Sequence, residues 1–331
     1  MLSDKKILIT GGTGSLGQAL VKGAMANPAI TRVVVVSRDE VKQGDLETRY
    51  PGDTKLRLFL GDVRDAGRLV QAFGQCETVI HTAALKRISS FYSPGEILKT
   101  NIIGTVNVID AAVAAGASRV LVISSDKAVM PTNFYGVSKA AAEGYAVQAN
   151  TYTVPRGTRV SVLRYGNVMG SRGSVLERWA AILAGEPLPL TDPRMTRFLV
   201  SLRQAVQLVH TCLAAMEGGE IFVPMLPAAY IHALAEAAFP GRALTTLGIR
   251  PGGEKLHETL LSPEERTRLA LVTEALFAVL PSFHPWRSTP WGVPPTTFGP
   301  YTSDRCATMT PALIRAWLDA EIPRWGEGVW D

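Results

Sequence analysis

The stretch Lys6–Gly17, KILITGGTGSLG, joins a short apolar run to a glycine-rich loop. KILIT has the composition of a strand that is buried on both faces of a sheet. Gly11, Gly14 and Gly17 follow with the spacing G-x-x-G-x-x-G, where a helix is expected to begin. Missing side chains at these positions let the backbone and the helix N-terminus approach a pyrophosphate. The stretch therefore predicts a dinucleotide site at the first strand-to-helix junction.

Similar apolar runs recur along the first half of the chain and alternate with helix-length segments. They are RVVVVS, LRLFLGD, TVIHTAA, RVLVISS and RVSVLRYG. This alternation predicts an α/β fold, a Rossmann-type doubly wound parallel sheet, in residues 1–169. Beyond Gly170 the rhythm breaks and proline becomes frequent. Residues 170–331 are predicted to form mainly a smaller, irregular substrate-binding lobe, with some elements of 197–223 returning to the first domain.

Composition describes a soluble globular protein, since 47% of the 331 residues are hydrophobic and 19% are charged. The net charge of +5 comes from scattered Lys and Arg residues, which favours an anionic small substrate over nucleic acid. The 3 cysteines have neither zinc-binding nor disulfide spacing, so no metal is expected and a reducing cytoplasm fits best. The start of the chain reads as a strand, and we expect neither a signal peptide nor a membrane span.

The end of the second strand predicts which dinucleotide binds. An acid about twenty residues past the glycines would hold the ribose hydroxyls of NAD. Ser37 and Arg38 stand there instead, and a hydroxyl and a guanidinium suit the 2′-phosphate of NADP. The alternative is a solvated Arg38 with Asp39 holding the ribose, as for NAD. Further predicted cofactor contacts are Thr13, Ser15 and Leu16 in the loop, Asp62 and Val63 near the adenine, and Ala83, Lys86, Tyr135 and Lys139.

Tyr135 and Lys139 lie four residues apart on the helix expected after Pro131. The lysine ammonium can lower the pKa of the tyrosine, and the phenolate can then accept a proton from an alcohol that loses a hydride. The alternative is an ordinary exposed tyrosine and lysine on an amphipathic helix.

Many collinear motifs resemble one family over almost the whole chain. They include TGGTGSLG, GDVRD, HTAALKR, KTNIIGTVNVIDAA, SSDKAVMPTNFYGVSK, RYGNVMGSRGSV, TDPRMTRF and GIRPGGEKLHE. The chain resembles the extended short-chain dehydrogenase/reductase superfamily. More narrowly, it is similar to the soluble UDP-N-acetylglucosamine 4,6-dehydratases (5-inverting) of the pseudaminic-acid pathway. The resemblance implies NADP, a UDP-N-acetylhexosamine substrate, and a homo-oligomer that is a dimer or hexamer.

The resemblance also implies that Asp126 and Lys127 eliminate water between two hydride transfers, with Ser125 orienting the substrate. This chemistry requires a neutral Lys127 and a protonated Asp126. We expect desolvation to push both pKa values in those directions, and Lys139 to discourage a second ammonium. The alternative for the pair is a surface ion pair that caps a strand. Runner-up functions are a UDP-sugar 4-epimerase, which would leave the pair idle, and a non-catalytic NADP-binding subunit.

Substrate contacts are expected from five residues within the family motifs: Lys86, Asn167, Arg194, Arg197 and Arg250. Guanidinium groups suit a diphosphate, and Arg250 is the first choice. Each alternative is structural: a solvated lysine, a turn-forming asparagine, or surface arginines. Relatives usually read RPGEKLHE where this chain reads RPGGEKLHE, so no roles are assigned to Glu254 and Lys255. His257 is expected to be structural.

Overall fold

The computed structural model describes residues 5–86, 93–283, 285–287, 291–292, 299–306 and 309–322. The strands are β1 (Lys6–Thr10), β2 (Arg32–Ser37), β3 (Leu56–Leu60), β4 (Thr78–His81), β5 (Arg119–Ile123), β6 (Arg159–Leu163), β7 (Asn167–Val168), β8 (Leu188–Leu190), β9 (Thr196–Val200), β10 (Ile221–Pro224), β11 (Ala228–Tyr230), β12 (Leu244–Thr246), β13 (Thr259–Leu261), β14 (Leu269–Thr273), β15 (Leu276–Val279) and β16 (Tyr301–Thr302). Much of the Pro/Trp-rich tail noted in the sequence lies outside the described residues.

The α-helices are α1 (Ser15–Ala26), α2 (Glu40–Arg49), α3 (Ala66–Phe73), α4 (Pro94–Ile97), α5 (Gly104–Ala114), α6 (Phe134–Thr153), α7 (Val175–Ala180), α8 (Leu202–Ala215), α9 (Ile231–Ala238) and α10 (Pro311–Glu321). A π-helical segment, Leu98–Ile103, joins α4 to α5. A short 3-10 turn, Asp126–Ala128, stands between β5 and α6.

A 9-stranded sheet forms the frame, with the order β14-β15-β10-β6-β5-β4-β1-β2-β3. The neighbouring strands β10-β6-β5-β4-β1-β2-β3 run parallel to one another. At the other edge of the sheet, β15 and β14 are added as antiparallel strands. The order of β1 to β6 is that of a doubly wound Rossmann sheet. The predicted fold class is confirmed, and all six strands predicted in the first half are present.

Alternation along β1 shows how the two faces are covered. Ile7 and Ile9 belong to one apolar core with Leu20 of α1 and Val209 of α8. Leu8 points to the opposite core, which α3, α5 and α6 complete. Because successive side chains of a strand point to opposite faces, a run such as KILIT can serve two cores at once. Polar groups that follow these strands are thereby brought to one edge of the sheet.

The second half of the chain builds several smaller sheets, with the orders β11-β9-β7, β12-β8 and β13-β16. A third apolar core lies among them, around Trp179 and Leu234. The same half returns to the main sheet through β10, β15 and β14. The predicted division at residue 170 therefore does not separate the sheets. The antiparallel strands β14 and β15, which lie well beyond residue 223, extend the 9-stranded sheet of the first half.

The helical run from Pro94 to Ala114 is long and apolar enough, by length and composition, to cross a membrane. However, 56% of its apolar 18-residue stretch is buried inside the protein. Its α5 part packs between α3 and α6, against the same core as Leu8. A helix that covers one face of a sheet needs this apolar composition.

Candidate active site

The glycine loop makes a tight turn that tolerates no side chains at two positions. Gly11 has φ +67°, and a Cβ there would lie 2.8 Å from the backbone of Ala83. A Cβ on Gly17 would lie 2.4 Å from the Gly11 carbonyl oxygen. The N-cap of α1 is Gly14, which has no side chain to accept a hydrogen bond from the first amides of the helix. Those amides face the loop and suit an anion.

The end of β2 forms the second wall of this loop. The Thr13 and Ser37 hydroxyl oxygens lie 2.7 Å apart, so Ser37 is tied to the glycine loop. Asp39 caps α2 by accepting from the Lys42 backbone N–H at 3.1 Å, and its carboxylate also contacts the Lys42 ammonium. These hydrogen bonds hold the pKa of Asp39 below its usual range. The Arg38 side chain is 52% exposed and points toward Asp62, which follows β3.

The residues after β3 place a charged cluster beside Arg38. Asp62 lies 2.6 Å from the Arg64 guanidinium and 3.8 Å from that of Arg38. Burial acts to raise the pKa of Asp62, but the bonds to Arg64 outweigh it and the pKa is lowered. Val63 is buried, and its carbonyl accepts from Asn107 at 3.0 Å. The two residues predicted near the adenine thus lie next to Arg38.

A loop from the second half of the chain reaches the glycine loop. The Arg172 backbone N–H donates to the Ser15 hydroxyl at 3.0 Å, while the Lys86 ammonium donates to the Arg172 carbonyl at 3.3 Å. Leu16 is buried beneath them. The predicted loop residues and Lys86 are therefore brought together at one edge of the sheet.

Tyr135 and Lys139 lie on the inner side of α6, where they are only 9% and 3% exposed. The exposed-pair alternative is wrong. The Lys139 ammonium donates to the Ile123 carbonyl at 2.6 Å, and burial lowers the pKa of Lys139 to about 8. Burial raises the pKa of Tyr135, and the charge of Lys127 opposes this rise. The prediction that Lys139 lowers the pKa of Tyr135 therefore needs correction, because Lys127 is the cation with this effect here.

Asp126 and Lys127 form a buried ion pair, not the surface pair of the alternative interpretation. The Lys127 ammonium lies 3.0 Å from Asp126 Oδ1, and the Asp126 side chain is 0% exposed. The Ser125 hydroxyl donates to the same oxygen at 2.7 Å. The other carboxylate oxygen of Asp126 is buried with no hydrogen-bond partner. The Asp126 N–H donates to the Tyr165 carbonyl at 2.9 Å, which fixes this turn against the end of β6.

The expected direction of the Lys127 pKa is wrong for this structure. Burial acts to lower it, but the charges of Asp126 and Glu258 outweigh burial, and the pKa of Lys127 is raised. Glu258 lies 3.5 Å from the Lys127 ammonium and was not singled out in the sequence. The signal it offered was an acid beside the apolar run TLL. The neighbouring cation whose charge acts to lower the pKa of Lys127 is Arg197, and not Lys139 as predicted.

Asn101 is a second residue that sequence reasoning missed. It lies in the π-helical segment, is 1% exposed, and donates to the Ser138 hydroxyl at 2.9 Å. The Ser138 hydroxyl in turn donates to the Tyr135 carbonyl at 2.7 Å. Asn101 also exchanges hydrogen bonds with the backbone of Leu85, at 2.8 and 2.9 Å. It therefore ties α6 to the loop that carries Ala83, and a buried Asn within LKTNIIG was the available signal.

The predicted substrate residues differ in how free their polar groups are. The side-chain oxygen of Asn167 is buried and has no hydrogen-bond partner, so it can accept from a ligand. Lys86 is exposed, and the hydrogen bond described above joins its ammonium to a backbone carbonyl, that of Arg172. Lys86 follows β4 and Asn167 follows β6, so both lie at the carboxyl edge of the sheet, where doubly wound proteins bind ligands.

The three predicted arginines do not form one cluster, although Arg197 and Arg250 both pair with Glu254. Arg194 is exposed and paired with Asp192 of its own turn, at 2.8 Å. The Arg197 guanidinium is buried and bonds the Thr196, Lys255 and Leu256 carbonyls. The diphosphate role expected for Arg197 needs correction, because these donors support the 254–256 loop. Arg250 is 53% exposed and paired with Glu254 at 2.5 Å.

The additional glycine of RPGGEKLHE docks this loop on the catalytic helix. The Gly253 carbonyl accepts from the Thr132 hydroxyl at 2.6 Å and from the Asn133 amide at 3.1 Å. Asn133 is the N-cap of α6. The Lys255 ammonium donates to the Val129 carbonyl at 2.7 Å. The loop therefore seals one side of the Asp126–Lys127 turn.

Among the described residues, no group of three or more His, Cys, Asp or Glu side chains could hold a metal ion. Cys76 and Cys212 are buried free thiols. His257 lies 2.8 Å from the Thr196 hydroxyl through its Nδ1 atom, which is a structural contact.

Comparisons with known proteins agree with this geometry. Residues 7–279 match a family described as polysaccharide biosynthesis protein. The chain is 42% identical over 285 residues to a UDP-N-acetylglucosamine 4,6-dehydratase (inverting) of Campylobacter jejuni subsp. jejuni, covering 85% of this chain and 84% of that protein. It is 39% identical over 278 residues to a UDP-glucose 4-epimerase of Rickettsia massiliae, covering 81% of each. The solved structure of Pen from Bacillus thuringiensis superimposes with a TM-score of 0.88 and 30% identity, covering 97% of this chain and 99% of that one.

Proposed function

The chain belongs to the polysaccharide biosynthesis protein family, and we propose that it is an NADP-dependent UDP-N-acetylglucosamine 4,6-dehydratase that inverts carbon 5 of the sugar. The observation that carries this proposal is the buried Asp126–Lys127 pair beside Tyr135. A plain alcohol oxidation needs only Tyr135 and Lys139. A second acid and base within the same pocket is what a water elimination requires.

The glycine loop fits a dinucleotide, because Gly11 and Gly17 permit a tight turn in which a Cβ would clash with the backbone, and no side chain caps the first amides of α1. We propose that the residues around it hold NADP, with Arg38 at the 2′-phosphate. Two observations support NADP over NAD: Arg38 is exposed beside the loop, and Asp39 is committed to capping α2. A bound nicotinamide would accept a hydride from carbon 4 of the sugar and return it to carbon 6.

Tyr135 would take the proton of the carbon 4 hydroxyl while that carbon becomes a ketone. Two neighbours of the phenol favour its ionised form, the Lys127 ammonium and the Ser125 hydroxyl. Burial opposes them. The Ser125 hydroxyl donates its one proton to Asp126, so the phenol is linked to the acid–base pair through the Ser125 oxygen.

The elimination needs a neutral Lys127 and a protonated Asp126, and this state has the same number of protons as the observed ion pair. It forms when one proton moves from the Lys127 amine to Asp126 Oδ1, across 3.0 Å. The ketone acidifies the hydrogen on carbon 5. Lys127 removes that proton, the carbon 6–oxygen bond breaks as a carbon 5–carbon 6 double bond forms, and Asp126 protonates the leaving hydroxide to water. As the hydride returns to carbon 6, carbon 5 would take a proton from water on the opposite face and Tyr135 would release its proton to water, so net redox is zero.

We propose that Asn167, Lys86 and Arg250 contact the nucleotide sugar, with Arg194 farther out. The unpartnered oxygen of Asn167 supports its role. We also propose a cytoplasmic homo-oligomer, whose product supplies glycan biosynthesis. Apolar side chains exposed on the helical run 94–114 and on α6, including Ile103 and Val137, support self-association.

Incubation of the protein with UDP-N-acetylglucosamine and NADP⁺ tests the function. We expect a product that has lost one water, without net cofactor consumption, by mass spectrometry. A proton NMR spectrum of the product should show the inverted carbon 5. A product with the starting mass would contradict the dehydratase.

Changing Lys127 to Ala removes the base that the elimination requires. We expect dehydration to fall by at least about 100-fold, because a positioned general base contributes that much or more. Lys99→Ala, at an exposed lysine, serves as the control and should keep the activity. Loss of dehydration only in Lys127→Ala supports the proposal.

The second candidate is a UDP-sugar 4-epimerase, which the 39% identity to the Rickettsia massiliae protein favours. An epimerase would use Tyr135 and the dinucleotide but leave Asp126 and Lys127 idle. Epimerisation that survives Lys127→Ala would support this alternative.

A further inference from the structure

Glu258 is a buried acid whose backbone is held rigidly just before β13. It is 2% exposed. Its N–H donates to the Ser303 hydroxyl at 2.9 Å, and its carbonyl accepts from the Ser303 N–H at 2.8 Å. The side chain therefore enters the catalytic pocket from a fixed point on a neighbouring sheet.

The Glu258 carboxylate lacks the hydrogen bonds that normally accompany a buried charge. Oε2 is buried without a hydrogen-bond partner, although the Lys255 ammonium lies 3.5 Å away. Oε1 lies 3.5 Å from the Lys127 ammonium. Burying a carboxylate in this way costs stability. The charge that is buried here acts on Lys127.

The Lys127 ammonium is surrounded by ionisable groups from four parts of the fold. Asp126 lies in its own turn, Tyr135 lies on α6, Glu258 precedes β13, and Arg197 projects from β9. Lys255 faces Glu258 rather than Lys127. Two carboxylates and one guanidinium thus act on a single amine, and of these three groups only Asp126 has been given a chemical role.

We propose that Glu258 is a positioning residue, whose carboxylate holds the Lys127 amine beside Asp126 and sets how tightly that amine keeps its proton. The inference rests on the proposed function for its place in the reaction. With Glu258 ionised, the Lys127–Asp126 pair keeps its shared proton to high pH, and the same proton can move between the two groups during turnover. If Glu258 is neutralised, the pair loses this proton at lower pH, and Asp126 then has no proton to donate to the leaving hydroxide.

Glu258→Gln tests the proposal, since it keeps the shape and removes the charge. The direct measurement is competitive labelling of lysines with acetic anhydride across pH, with peptide mass spectrometry of the Lys127 peptide. We expect the labelling curve of Lys127 to move to lower pH by about one to two units, the size of effect that an opposite charge at this distance has. The curve of exposed Lys99 in the same sample should not move.

The pH profile of kcat/KM for dehydration should move in the same direction, with its alkaline limb appearing at lower pH in Glu258→Gln. Glu258→Asp keeps the charge but withdraws it from Lys127, so it should shift both curves less. If Glu258→Gln does not fold, the shift in Glu258→Asp alone tests the proposal.

An unmoved Lys127 labelling curve in these variants would overturn the role of Glu258, as would equal shifts in the Gln and Asp variants. Labelling requires no turnover. The result is therefore separable from failure of the proposed function, which would show as wild-type protein that releases no dehydrated sugar.

Discussion

At the scale of single residues, His81 is a buried histidine that makes folding sensitive to acid. Its Nδ1 lies 2.7 Å from the Thr10 hydroxyl and its Nε2 lies 3.1 Å from that of Thr105. The Thr105 hydroxyl donates to the Asn101 carbonyl, so it accepts from His81 Nε2–H and a neutral ring satisfies both contacts. Burial, with a smaller effect of Lys139, lowers the pKa of His81 to about 3.

Stability contributed by a neutral His81 is complete above its unfolded pKa of roughly 6.5 and is lost as the pH falls toward 3. Between pH 7 and pH 5 this amounts to about 2 kcal/mol. His81→Gln is expected to have a lower free energy of unfolding than the wild type at pH 7. Between pH 7 and pH 5, however, its free energy of unfolding should fall by about 2 kcal/mol less than that of the wild type. Urea unfolding at both pH values measures it, and equal losses in the two proteins would contradict the assignment.

Residue identities in the catalytic turn could be predicted, whereas their electrostatics could not. Tyr135, Lys139, Asp126 and Lys127 lie within one strand–turn–helix, so local sequence places them together. The pKa of Lys127 depends on Glu258, which is distant in the chain and reaches the turn only because β13 packs there. Contacts between residues so far apart in the chain produce no pattern of spacing in the sequence from which they could be predicted.

At the scale of elements, the loop with the additional glycine docks on the N-terminus of α6. Gly253 has φ +85°, and a Cβ there would lie 2.1 Å from the Thr132 carbonyl oxygen. Gly253→Ala should therefore break the bonds to Thr132 and Asn133 and displace the loop that carries Arg250. We expect weaker binding of the nucleotide sugar, measured by calorimetry, together with reduced unfolding free energy.

Gly248→Ala is the matched control, because Gly248 also has φ +85° but a Cβ there meets no atom within 4 Å. Both variants carry a left-handed strain of about 1 kcal/mol. Only Gly253→Ala carries the clash. Equal sugar affinities in the two variants would show that docking of this loop does not matter for binding.

Elements were predicted best where the pattern was strong. The runs KILIT and RVVVVS coincide with β1 and β2 residue for residue, because each is apolar on both faces. The return of β14 and β15 to the main sheet was not predicted. Their sequences, LALVT and LFAV, also read as strands, but which sheet they join is decided by packing on β10 rather than by periodicity.

At the scale of the whole molecule, a buried charge cluster fastens the second half of the chain to the catalytic helix. The Arg164 guanidinium is 2% exposed and pairs with Glu143 of α6 at 2.6 Å and with Glu265 at 2.9 Å. It also donates to the Leu260 carbonyl, in β13, at 2.9 Å. One side chain thus joins the end of β6, α6 and the segment that carries Glu258.

Arg164→Met is expected to destabilise the protein by about 3–5 kcal/mol, because it removes one member of a buried cluster and leaves Glu143 and Glu265 without their cation. Arg203→Met is the control: Arg203 pairs with Glu321, but its side chain is 60% exposed, and such pairs contribute roughly 0–1 kcal/mol. Urea unfolding measures both. Since Arg164 holds β13, the variant should also loosen Glu258 and move the Lys127 labelling curve to lower pH. A variant as stable as Arg203→Met would show that the buried Arg164 cluster does not stabilise this junction.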